Sequence, residues 1–242
     1  IMEWYESLVE KIGVPFEALY VNTRFGRTHL LAAGPKEAPA LFLISGVAGC
    51  APLWRKQLES LSANFRVYAL DIPGQPGRSD PNPPSFLNDD YCDWLVDVLD
   101  DLGIERAHVA GISAGAWIAM RFGSLHPGRV RKVVMLGPTG ISSARLPVKI
   151  WLGRVAQKWK NADVLQDDLT AKSVSSKSPG GTFGTFDRQL ARAMALCTRH
   201  YRVDRSLGIY NEATGKVNLW QGLRVLRKFF LPEAEATLRQ FQ

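Results

Sequence analysis

The stretch Ala107-His108-Val109-Ala110-Gly111-Ile112-Ser113-Ala114-Gly115-Ala116-Trp117-Ile118 decides how the chain folds. Residues 107–112 form a short apolar run of the strand type, and a helical pattern opens at 114 and continues to 125. A chain that passes from strand to helix within a residue or two must bend sharply at Ser113. That bend holds the serine in a strained backbone conformation with its hydroxyl projecting. Gly111 and Gly115, two before and two after, remove the Cβ atoms that would collide in the turn. Ser113 then stands at a helix N-terminus, where unbonded N–H groups and the helix dipole favour developing negative charge. A Gly-x-Ser-x-Gly string is weak by itself, because all three residue types are common. The strand before it and the helix after it give it weight.

Working outward, the first 140 residues alternate strand-like and helix-like signals. Ala18–Asn22 and Thr28–Ala33 predict a hairpin around Arg24–Gly26. Ala40–Ser45 is an apolar run of the kind a strand covered on both faces shows. A helix is expected over 53–62, with Trp54, Leu58 and Leu61 on one side, and a strand over Arg66–Asp71. A Pro/Gly loop then runs from Ile72 to Pro84. In helix 86–102, Tyr91, Trp94, Leu95, Val98, Leu99 and Leu102 recur at three and four, with Ser85 placed to cap it and Gly103 to end it. Strand Val130–Leu136 closes the series. Strands separated by helices of this length imply an α/β three-layer sandwich, a mostly parallel sheet with helices on both faces. After Gly140 the character changes. Residues 143–242 hold helical patterns at about 146–160, 187–203, 218–229 and 232–241, a Ser/Gly-rich loop from Ser173 to Gly184, and no convincing strand. They read as a helical cap on a core formed by residues 1–142.

Composition narrows the function classes. With 242 residues, 46% hydrophobic and 22% charged, the chain has the balance of a globular protein, and no run of eighteen apolar residues occurs. The N-terminus lacks the basic and apolar regions of a secretory signal, and Ile1 ahead of Met2 does not read as a natural start. Cys50, Cys92 and Cys197 fit neither a disulfide framework nor a zinc site, which points to a reducing, cytoplasmic setting. The net charge of +7 lies wholly in residues 151–242. Its Arg and Lys residues fall at helical spacings, as solvated faces do, so nucleic acid is not expected, and the lack of a long apolar run argues against an integral membrane position. A membrane-surface role for the basic cap is a weaker idea. No phosphate-binding loop, dinucleotide fingerprint or metal cluster is present, so no cofactor is expected.

A second constellation supports the turn at 113. Strand 40–45 ends in Ser45-Gly46-Val47-Ala48-Gly49, a small-residue turn at the C-terminal edge of the same sheet, where ligands gather. The N–H of Val47 and that of Ala114 are expected to form a two-donor oxyanion hole of the kind acyl transfer needs.

Residues 40–140 resemble the α/β-hydrolase superfamily, especially its small cytosolic carboxylesterase-like members. The match runs through the Gly turn at 41–49, Trp54 with Leu58 and Leu61, Asp71-Ile72-Pro73-Gly74 to Gly77-Arg78-Ser79-Asp80, and helix 86–102. It continues through the Gly111–Gly115 elbow, His126-Pro127-Gly128-Arg129-Val130, and strand 130–136 with Gly137-Pro138. The resemblance implies Ser113 as nucleophile with Val47 and Ala114 as oxyanion donors, and small carboxylic esters or acyl compounds as substrates. Two departures stand out. Ser45-Gly46 replaces the usual His-Gly, and the loop after Asp71 carries one residue more, with Gln75-Pro76 between its glycines.

A serine nucleophile needs a base and an acid that orients the base. The family order is Ser, acid, His, with the last two on strands beyond the cap. Of the four histidines, His29 lies in the early hairpin, His108 inside the strand before Ser113, and His126 at the far end of helix 114–125. His200 follows Ser113 but sits in what reads as a cap helix. Asp71 and Asp80 match structural turn positions in the family, Asp187 has no strand before it, and each acid reads as a solvated carboxylate. Asp187 and His200 are therefore the remaining candidates for acid and base. The cleanest expectation is that the sequence stops before the seventh strand, so the chain is a fragment, a truncated product, or part of a homo-oligomer that fills the gap. Two readings stay open: a serine hydrolase working through an acyl-Ser113 intermediate, and a non-catalytic ligand-binding or interaction member of the same fold. The pocket is expected between Ser113 and the cap, near residues such as Trp151, Trp159, Phe183 or Trp220.

Overall fold

A computed structural model of the chain describes residues 2–139, 210–211, 216–218, 220–221 and 224. These belong to one compact unit, Ile1–Ser143 with Arg202–Gln242, and the other unit, Ala144–Tyr201, lies outside them. The elements run in chain order as α1 (Met2–Val9), β1 (Phe16–Thr23), β2 (Gly26–Ala33), β3 (Ala40–Ile44), a 3₁₀ turn (Ala51–Trp54), α2 (Arg55–Leu61) and β4 (Arg66–Leu70). They continue with α3 (Asp90–Asp101), β5 (Ala107–Ile112), α4 (Ala114–Leu125), a 3₁₀ turn (Pro127–Arg129) and β6 (Val130–Leu136).

Six strands form one sheet in the order β1-β2-β4-β3-β5-β6. β1 and β2 pair antiparallel, as do β2 and β4, whereas β3–β4, β3–β5 and β5–β6 are parallel. Alternate side chains of β3 feed two cores. Phe42 and Ile44 pack with Trp94, Leu95, Leu99, Ile118 and Phe122 beneath α3 and α4. Leu41 and Leu43 face the other way, onto Trp54 and Leu58. Burial on both faces is why β3 reads as an unbroken apolar run. The result is the expected three-layer α/β sandwich.

α3 carries its buried stripe as the spacing predicts, and Trp94 Nε1 donates to Thr28 Oγ1 at 2.8 Å inside the core. It closes on Gly103 at φ +66°, with the Ile104 N–H on the Leu99 carbonyl and the Gly103 N–H on the Asp100 carbonyl. Its start differs from expectation. The helix begins at Asp90, with Asp89 at the N-cap, and Ser85 does not cap it. Phe86 is pulled into the core instead, while Asp90 Oδ2 accepts the Ser85 N–H and Asn88 Oδ1 accepts that of Asp90. Side-chain acceptors of this kind hold a backbone in turns and delay the helix.

Two other elements depart from the sequence reading. α1 has no counterpart in it. Within residues 143–242, where no strand was expected, β7 (Tyr210–Asn211) and β8 (Lys216–Val217) form an antiparallel ladder. Two-residue strands are too short to show a period of two. The expected helix at 218–229 has described residues Trp220, Gln221 and Arg224 in helical conformation, with Asn218 Oδ1 accepting the Gln221 N–H at 3.1 Å. Expectations for 146–160, 173–184, 187–203 and 232–241 lie outside the described residues.

Candidate active site

The chain leaves β3 toward β4 on one side and leaves β5 toward β6 on the other. The C-terminal ends of β3 and β5 therefore border the point where the winding reverses, the usual crevice of such sheets. Ser113 follows β5 with φ +55° and ψ −117°, a strained conformation for a side chain with a Cβ. Such strain costs roughly 1–3 kcal/mol and persists only where its surroundings impose it. Here the Ser113 N–H donates to the Leu136 carbonyl at 3.0 Å, and the Ser113 carbonyl accepts from the N–H groups of Ala116 and Trp117. A Cβ on Gly111 would overlap the Gly115 carbonyl, and one on Gly115 would overlap the carbonyl of Ile44. The two glycines are thus required by close packing of the turn against itself and against the end of β3. The Ser113 side chain caps none of the α4 N–H groups.

The turn after β3 lies directly alongside. A Cβ placed on Gly46 would stand 3.2 Å from Ser113 Cβ and 3.7 Å from its Oγ. Ala48 is the other non-glycine residue at positive φ, +63°. Its N–H donates to Gln75 Oε1 at 2.8 Å, and the Gly49 N–H closes the turn on the Gly46 carbonyl. Trp54 Nε1 donates to Ser45 Oγ at 2.9 Å, which in turn donates to the Cys50 carbonyl. The serine standing where the family has His-Gly is thus a buried link between the turn and the 3₁₀ segment behind it. Among the described residues, neither the Val47 nor the Ala114 amide has an acceptor.

The described histidines stay away from this turn. His29 is fully buried, its Nδ1 2.8 Å from Asp71 Oδ2, and the Tyr5 hydroxyl donates to the same oxygen at 2.8 Å. Asp71 also accepts from the Ala51 and Arg78 N–H groups. This corrects the expectation of a solvated carboxylate at position 71. The side chain is completely enclosed, and four donors from α1, β2, the first 3₁₀ turn and the loop after β4 stand in for water. Burial, reinforced by Asp71, pushes the Tyr5 phenol well above its ordinary range, so it stays a donor. Asp80 is a turn residue, accepting the Arg27 N–H.

His108 sits five residues before Ser113, about 16 Å away along a strand, with its ring edge-on to Phe65. His126 follows the end of α4, about 20 Å from Ser113 by helix rise. The candidate acid Asp187 and base His200 lie outside the described residues, as do Trp151, Trp159 and Phe183. Trp220 is 78% exposed. No group of three or more His, Cys, Asp or Glu among the described residues is placed to hold a metal ion. Gln75 and the Tyr5–His29–Asp71 cluster were not foreseen, although the extra residue between Gly74 and Gly77 marked where Gln75 enters.

A strand–serine–helix turn at the switch point of a mostly parallel sheet defines a class, and the family comparison agrees. The alpha/beta hydrolase fold family model matches residues 39–221, and the chain belongs to that family. Carboxylesterase YbfK of Bacillus subtilis (strain 168) is 38% identical over 134 residues, 55% of this chain and 45% of its own length. The uncharacterized carboxylesterase nap of the same organism is 36% identical over 140 residues, 57% of this chain and 47% of its own. The crystal structure of carboxylesterase CesB (YbfK) from Bacillus subtilis aligns with a TM-score of 0.61 at 30% identity, covering 80% of this chain and 65% of that one. The chain spans about half the length of the curated relatives it matches. Among the described residues, no helix is long and apolar enough to cross a membrane.

Proposed function

We propose that the protein is a serine hydrolase of small carboxylic esters that works through an acyl-Ser113 intermediate. One observation carries this reading: the strained Ser113 turn lies against the turn that begins at Gly46, with the amides of 47 and 114 without acceptors among the described residues. Ser113 Oγ attacks the ester carbonyl as a base takes its proton. The carbonyl oxygen becomes an oxyanion, held by the N–H groups of Val47 and Ala114. Collapse breaks the ester C–O bond, the alcohol leaves with the proton, and water then hydrolyses the acyl-serine. Asp187 and His200 remain the acid and base candidates within the chain. The similarity to carboxylesterases supports the substrate class. A cytoplasmic setting is part of this proposal and rests on the sequence, whose three widely spaced cysteines fit no disulfide framework.

The competing reading, a ligand-binding member of the family without turnover, is favoured by one fact: no described histidine stands near Ser113. Hydrolysis of p-nitrophenyl acetate and labelling by a fluorophosphonate separate the two. The proposal expects both with the parent chain and neither with Ser113→Ala. A folded parent that neither hydrolyses nor labels excludes it.

A further inference from the structure

We infer that Gln75 is a positioning residue for the oxyanion hole, fixing the turn after β3 so that the Val47 amide, and not that of Ala48, faces Ser113. This rests on the serine-hydrolase reading above and adds a residue that it does not include.

The turn 46–49 begins at Gly46, which lies against Ser113, and carries two consecutive amides, those of Val47 and Ala48. Ala48 adopts φ +63°, which a residue with a Cβ avoids unless it is held there. Gln75 supplies the hold. Its side chain is buried, and because a backbone N–H only donates, the amide presents Oε1 to the Ala48 nitrogen at 2.8 Å. That bond occupies the Ala48 N–H and leaves the Val47 N–H without an acceptor among the described residues.

The glutamine is itself anchored from behind. Its N–H donates to the Ile72 carbonyl, the Gly74 N–H donates to the Asp80 carbonyl, and the Arg78 N–H donates to buried Asp71. Asp71 Oδ1 also receives the Ala51 N–H, so the loop carrying Gln75 and the segment following the turn share one buried carboxylate. The extra residue between the loop glycines therefore has a use: it delivers an acceptor to the neighbouring turn. An oxyanion donor acts only if its direction is set before charge develops, so loss of this bond should slow the chemical step and spare substrate binding.

The test compares Gln75→Met, which keeps length and packing but offers no acceptor, with the parent chain. Ser113 labelling by a fluorophosphonate, p-nitrophenyl acetate kinetics and hydrogen exchange of the Ala48 amide are all followed. The expected result is a fall in labelling rate and kcat of about tenfold or more, KM within about twofold, and faster exchange at Ala48. Equal rates in parent and variant overturn the inference and leave the hydrolase reading intact. A parent that never labels at Ser113 overturns that reading and takes the inference with it. If the methionine variant does not fold, Gln75→Leu, which likewise offers no acceptor to the Ala48 N–H, decides the matter by the same three readouts. Equal rates in that variant and the parent overturn the inference.

Discussion

Two polar clusters sit at the same edge of the sheet, one after β4 and one after β5, and they are built on opposite principles. At Asp71 four donors are directed inward, the Tyr5 hydroxyl, His29 Nδ1 and the N–H groups of Ala51 and Arg78, and all meet one carboxylate, while His29 Nε2 has no partner among the described residues. At Ser113 the backbone is held in an unfavourable conformation, its side chain caps none of the α4 N–H groups, and the neighbouring amides of Val47 and Ala114 have no acceptor among the described residues. The cluster that contains a histidine and an aspartate is thus the structural one, and the lone serine is the candidate for chemistry. Residue types alone would suggest the reverse. What separates the two is whether the hydrogen-bonding capacity is already used, since a site that must bind a transition state needs unspent donors.

The contrast predicts opposite responses to substitution. Ser113→Ala should reduce ester hydrolysis by about a thousandfold or more while the urea midpoint stays where it was, because the hydroxyl has no hydrogen-bond partner among the described residues. A large loss of stability would show that the serine is structural after all. Asp71→Asn should do the converse. An NH₂ group then faces several donors, and unfolding free energy should fall by about 3 kcal/mol in a denaturant titration. A smaller effect belongs to Gly103→Ala, where a Cβ meets nothing within 4 Å but φ is +66°. Only backbone strain is added there, and the expected cost is about 1 kcal/mol.

The smallest effect is a pH dependence at the sheet's other end. Burial, with Arg131 and Lys132, holds the His108 pKa below 6.5. The unfolded chain therefore takes up this proton first. His108 contributes stability that is intact above about pH 6.5 and is lost as pH falls through the folded value. Urea midpoints at about pH 7 and pH 5 should differ less in His108→Gln than in the parent.

Much of this was legible in the sequence. β3 to β6 and α4 follow from apolar period and length, and the glycines at 111 and 115 located the bend because their spacing has a steric cause. α1 was not legible: it is eight residues long, and its buried Tyr5 bonds Asp71, 66 positions away. Ser85 imitates a helix cap, but Phe86 is buried in the core and the helix starts only at Asp90. Gln75 shows only as an insertion, because its partner Ala48 lies 27 residues back. Local patterns report local physics. The side chains that set the candidate site act across loops that sequence spacing does not connect.

A crystal structure of the fluorophosphonate adduct would test the central claim most directly. The account predicts phosphorus bonded to Ser113 Oγ, with one phosphonyl oxygen within hydrogen-bonding distance of both the Val47 and the Ala114 nitrogen. Phosphorus on another side chain, or that oxygen turned away from both amides, would contradict it.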